Sequence, residues 1–205
     1  MRKTIALTLV GLLVGVAQAG PIGWNDFSGS ENWIDFGDFY DTQDPTYYEG
    51  CTFYSDGGGS GGDGWRPMDW TNYFINGSGD YPGLSLGYAL ADNYGTSLVR
   101  VEFTDYSGIQ RVGILASTSP VTTYGLEAYD ANDNLLDSVQ ATMPQNQYPC
   151  WLGLETTQEI SYILLTEPSG ENGNIGIWDD LRFEIPEPAT LSLLALGALG
   201  LIRRR

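Results

Sequence analysis

Apolar residues in the middle of the chain recur at every second position, not at helical spacing. Leu84, Leu86, Tyr88 and Leu90 alternate, as do Leu98 and Val101–Phe103 with one slip, then Val112 and Ile114. Tyr124, Leu126 and Ala128 keep the period, followed by Ile160, Tyr162, Leu164 and then Ile175, Ile177. A period of two marks strands with one buried face. Gly, Asn, Asp and Ser clusters separate the runs. The pattern predicts an all-β, antiparallel β-sandwich of nine or ten strands. They fall near 33–37, 47–54, 84–91, 97–104, 109–117, 122–130, 134–141, 149–155, 159–166 and 174–184.

Two connections are legible. Tyr129 to Leu136 reads as a hairpin, because Asp and Asn tolerate the left-handed backbone of a tight turn. Residues 55–64 form a glycine-rich loop with no following Lys-Ser or Lys-Thr, so it is not a phosphate cradle. The Asp130-x-Asn132-x-Asn134 spacing is not an EF-hand either. Leu135 stands where that loop needs Gly, and Ala141 where it needs Glu.

The two ends break the pattern. Residues 1–19 read as a signal peptide: Arg2 and Lys3, an apolar stretch from Thr4 to Val16, then Ala17-Gln18-Ala19 as the cleavage site. Residues 186–205 begin Pro186-Glu187-Pro188, run apolar from Leu191 to Ile202, and end Arg203-Arg204-Arg205. A helix over 189–202 would rise about 21 Å, against a hydrocarbon core of about 30 Å. Snorkelling arginines and local thinning make up the difference, so a short transmembrane helix is expected. The arginines stay cytoplasmic and the body lies outside. Between the ends, 20–185 is expected to fold as one domain.

Of nine basic residues, five lie in the two ends, which leaves the body Arg66, Arg100, Arg111 and Arg182 against nearly all of the 26 acids. So negative a body repels nucleic acid and anionic lipid, and membrane contact is expected only through the tail. There is no His, which excludes His-based acid–base catalysis and His-ligated zinc. Cys51 and Cys150, in an exported chain, are expected to form one disulfide; two free thiols is the alternative.

The tail resembles the PEP-CTERM sorting signal: Pro186-Glu187-Pro188, an apolar helix and a basic cluster, paired with a signal peptide at the other end. The resemblance implies processing near the motif by a membrane transpeptidase of the exosortase type, with release to the cell surface or extracellular matrix. The body is similar to jelly-roll β-sandwich domains related in shape to carbohydrate-binding modules. The likeness rests on Trp33-Ile34-Asp35-Phe36, Tyr48 to Phe53, the Tyr129–Asn132 hairpin, and Gly176-Ile177-Trp178-Asp179-Asp180-Leu181-Arg182-Phe183. Asp133 replaces the usual hairpin Gly, and residues 56–81 depart from the pattern as an insertion.

Two places stand out as candidate sites. The jelly-roll resemblance puts the first and last strands side by side, which would gather Asp35, Asp179 and Asp180. Clustered carboxylates repel unless protonated or bridged by a cation, and oxygen ligands suit Ca²⁺; the alternative is a carboxylate that caps a turn. Trp65, Asp69, Trp70 and Tyr73 form the second place. They could stack a sugar ring and bond its hydroxyls, or cover one end of the core. The expected function is an exported, non-enzymatic surface or matrix protein that binds glycan, with extracellular polysaccharide as partner. A purely structural matrix role is the runner-up. A carboxylate-based hydrolase comes third, since nothing in the sequence fixes a separation between two acids.

Overall fold

The computed structural model describes residues 20–27, 29–36, 47–55, 66–69, 88–91, 98–117, 122–143, 150–166 and 177–185, with 66–69 and 88–91 given by strand pairing alone. The strands are β1 (Gly20–Pro21), β2 (Asn32–Ile34), β3 (Tyr47–Tyr48), β4 (Cys51–Ser55), β5 (Arg66–Asp69), β6 (Tyr88–Ala91), β7 (Leu98–Glu102), β8 (Arg111–Ser117), β9 (Thr122–Tyr129), β10 (Leu135–Met143), β11 (Cys150–Glu155), β12 (Tyr162–Thr166) and β13 (Ile177–Glu184). A 3₁₀ turn at Trp24–Asp26 is the one helical element among the described residues.

The strands form two antiparallel sheets, as the alternation predicts. One runs β1-β11-β8-β13-β6-β5, with β2 also on β13; the other runs β10-β9-β12-β7-β4-β3. Ile114, Leu152, Leu154 and Phe183 of the first sheet share a core with Val101, Leu126, Ile163 and Leu165 of the second. Burying each such side chain contributes about 1.5–3 kcal/mol.

Three details differ from the sequence reading. The expected 47–54 strand is two strands, because Glu49 and Gly50 both take positive φ (46° and 79°) and turn β3 back onto β4. In β12 the core-facing residues are Ile163 and Leu165, so Tyr162 and Leu164 point outward, opposite to the predicted phase. β1 and β5 were not foreseen, since Pro21 and Pro67 obscure both; proline is tolerated on such edge strands.

The outer face of the first sheet carries a strap. Ile22 bonds Gly153 through its backbone N–H (3.0 Å), and Trp151 Nε1 donates to the Ile22 carbonyl at 2.9 Å. Trp24 meets Trp151 edge-on at 5.1 Å, and Phe27 does so at 6.0 Å. The Trp151 indole lies flat over Gly113 and Gly153, where any Cβ would collide with it. Gly113→Ala is therefore expected to push Trp151 out and loosen the strap, costing about 1–3 kcal/mol. A melting curve checks the cost, and a red shift of indole emission checks the cause.

The expected Cys51–Cys150 disulfide is corrected: both thiols are free. Cys51 begins β4 in one sheet, beside the Thr52↔Glu102 pair at the end where β7 turns toward β8. Cys150 pairs with Ala116 in the other sheet, near the far end of β8. The two residues thus occupy opposite ends of the sandwich. Burial pushes each thiol up to about 12, with Glu49 and Asp105 adding to the effect at Cys51. Neither is a ready nucleophile.

Candidate functional site

The tail's Pro186, Glu187 and Pro188, the leader 1–19, and Trp65, Trp70 and Tyr73 lie outside the described residues. Asp69 ends β5, where its backbone pairs with Tyr88 at the sheet edge. No helix among the described residues is long and apolar enough to cross a membrane, and the expected span 189–202 is not among them.

β2, which falls in the first strand expected from the sequence, does pair with β13, the last, through Leu181↔Ile34 and Arg182↔Trp33. Farther along, the same side of β13 pairs with β6 through Ile177 and Trp178. Asp179 and Asp180 fall between the two partners, on a bulge in the β8 register, and Asp180 has a φ of 50°. Both are buried, whereas Asp35 is exposed. Asp179 Oδ1 accepts the Asp180 backbone N–H at 2.8 Å, and Trp33 Nε1 donates to Asp180 Oδ1 at 2.5 Å. Burial raises the Asp179 carboxyl well above the ordinary range, and the charges of Asp180 and Asp35 add to this. Asp179 therefore feels both of the other acids. Yet among the described residues no three His, Cys, Asp or Glu side chains gather to hold a metal. The arrangement favours a protonated Asp179, not a Ca²⁺ ligand set.

A better-formed site lies on the outer face of the six-stranded sheet. The ladder aligns Tyr54, Arg100, Leu164 and Glu127 in one row, and Thr52, Glu102, Tyr162 and Tyr129 in the next. Strand alternation puts both rows on the side away from the core. Tyr129 and Tyr162 stack at 4.9 Å with planes 2° apart, as directly opposed residues can. The Arg100 guanidinium sits 3.6 Å over the Tyr162 ring and bonds Glu102 at 2.7 Å.

The phenols are held as donors. Tyr129 gives its hydrogen to Glu127 at 2.6 Å, and this bond, helped by burial, pushes it up to about 12. Tyr162 gives its hydrogen to Asp133 at 2.9 Å; burial first, then that bond, raises it. Asp133 stands in the left-handed region (φ 61°) of the hairpin predicted at 129–136. The turn is fastened by Asp130 Oδ1, which accepts the Asn132 and Asn134 backbone N–H at 2.8 and 2.9 Å. The Asn134 bonds hold the Asp130 carboxyl below its ordinary value.

Beside the stack opens a cavity of about 210 Å³, lined by Arg100, Glu102, Thr104, Asp133, Ser161 and Tyr162 among others. Both faces of the Tyr162 ring are covered, so that ring forms a wall. Tyr54, across from Arg100, is 46% exposed and is the free ring of the row. The arrangement offers one apolar face, a cation and several oxygens to a flat, hydroxyl-rich ligand. The sequence reading missed it because Tyr54, Arg100, Tyr129 and Tyr162 are scattered over more than 100 positions. Their shared outward phase was the available signal, and it was misassigned at Tyr162.

Residues 184–205 match the PEP-CTERM protein-sorting motif. The chain therefore carries an export and sorting tail, as the residues at 186–205 imply. No curated protein matches the sequence. Similar solved structures include TmCBM61 in complex with β-1,4-galactotriose, at 14% identity and TM-score 0.45, over 69% of this chain and 92% of that one. The K1 cleaved adhesin domain of Lys-gingipain from Porphyromonas gingivalis W83 aligns at 10% identity and TM-score 0.48, covering 78% and 100%. A family 29 carbohydrate-binding module from Piromyces equi aligns at 5% and 0.44, covering 77% and 92%.

Proposed function

We propose that this chain is a non-catalytic, glycan-binding protein delivered to the cell surface or extracellular matrix. Delivery follows from the sorting motif at 184–205, whose removal would fall to an exosortase-type enzyme. Glycan binding rests on one observation: the cavity beside the Arg100–Tyr162–Tyr129 stack, with Tyr54 exposed across the ladder from Arg100.

Charge narrows the ligand. The whole chain carries a formal −17, and Glu102, Glu127 and Asp133 surround the stack. Arg100 is already engaged by Glu102. A polyanionic polysaccharide would be repelled, so the fitting ligand is a neutral glycan that stacks on Tyr54 and bonds the carboxylates through its hydroxyls. The test is a panel of neutral and acidic polysaccharides, with and without calcium, read by affinity. Tyr54→Ala is expected to weaken the best neutral ligand about tenfold and leave melting unchanged. Equal binding by the variant, or binding of acidic polymers only, would defeat the reading.

A further inference from the structure

The match to the sorting motif begins at residue 184, inside the sheet. Glu184 is the last residue of β13 and is 5% exposed. Its carbonyl accepts the Gln110 backbone N–H at 3.1 Å, and its carboxylate meets Arg111 Nη1 at 3.2 Å. β13 is an interior strand, flanked by β8 on one side and by β2 and β6 on the other. Ile185, which follows, is 45% exposed and approaches the backbone at Gly108. No spacer separates the ladder from the tail.

Arg111 ties this junction to the start of the body. Gly20, Glu155, Arg111 and Glu184 form one cross-strand row over β1, β11, β8 and β13. The guanidinium reaches Glu155 at 3.2 Å and the Asp26 carbonyl at 3.3 Å as well as Glu184. One side chain thus holds the N-terminal strap and the last residue of the C-terminal strand together.

A peptidase needs its substrate as accessible backbone, and a buried residue still paired to β8 yields that only by local unfolding. We propose that the folded sheet fixes the upstream limit of tail removal: the bond cut lies on the C-terminal side of Ile185, and Arg111 holds that limit by pinning Glu184. The proposal rests on the sorting reading above. In the step, the peptide C–N bond breaks. The carbonyl carbon gains the hydroxyl of water or the nitrogen of an acceptor's primary amine. The tail leaves as an amine that takes up the remaining proton.

The test expresses the full chain in a host that possesses the sorting machinery and reads the intact mass of the released body. The expected wild-type C-terminus is Ile185 or a later residue. A free acid identifies water as acceptor, and added mass identifies an amine; either fits. A wild-type terminus at Glu184 or earlier overturns the proposal. Arg111→Gln is expected to add termini upstream of Ile185, and Glu184→Gln, which keeps the backbone bond, should do so to a smaller extent. Wild-type termini in both variants overturn the role given to Arg111. Export with the tail intact would instead defeat the sorting reading and this inference together.

Discussion

Arg182→Ala is expected to lower stability by about 3–5 kcal/mol, a fall of roughly 10 °C in Tm for a domain of this size. Arg182 is 7% exposed and lies between two indoles, 3.5 Å from the Trp24 ring centroid and 4.5 Å from that of Trp33. Its Nη1 lies 3.5 Å from Glu31 Oε1. Burial lowers its pKa, while Asp180 and Glu31 act in the opposite direction. Truncation would open a gap between the rings and leave buried Asp180 and partly buried Glu31 short of a cation. Arg182→Lys keeps the charge but not the flat guanidinium, so it should recover only part of the loss. Denaturant melts of the three proteins check this. A loss under about 1 kcal/mol in Arg182→Ala would mean that the strap holds without its cation.

Asp179→Asn should act in the other direction and stabilise the fold at neutral pH by roughly 2 kcal/mol. The unfolded carboxyl titrates near ~3.9; the folded one titrates higher, because burial and then Asp180 and Asp35 disfavour its charge. Between those two values the native state keeps a proton that the unfolded chain has released. Stability from this group is therefore fully present below the unfolded value and is lost as pH rises from there through the folded value. Asparagine keeps the Oδ1 that accepts the Asp180 N–H and has no charge to bury. The variant should be more stable than wild type at pH 7 and should lose the decline between mild acid and neutrality. If instead it melts lower at pH 7, and the deficit appears only with added calcium, Asp179 is an ionised ligand and the present account of the bulge fails.

The alternation of apolar residues was enough to place most strands, because inward residues such as Val112, Ile114, Leu126 and Ala128 must meet the core at period two. It could not reveal the bulge at Asp179–Leu181, which breaks the period where β13 passes from one neighbour to another. Nor could it reveal why four charged residues of β13 are buried. Their cover comes partly from the strap at 20–27, and Gly-Pro-Ile-Gly-Trp has no periodicity to read. Pairing Cys51 with Cys150 followed from compartment and count alone, and neither carries the positional information that separates the two ends of the sandwich. The Asp35–Asp179–Asp180 neighbourhood was legible because strand adjacency follows from the jelly-roll likeness. Its protonation was not, since burial depends on what lies above the sheet.

The cavity between Thr104 and Asp133 and the strand end at Glu184 lie toward the same pole of the molecule, where the loop after β7 reaches β8. Whatever occupies that cavity would therefore sit beside the point where the sorting motif begins, so the proposed binding and the proposed release share one end of the fold.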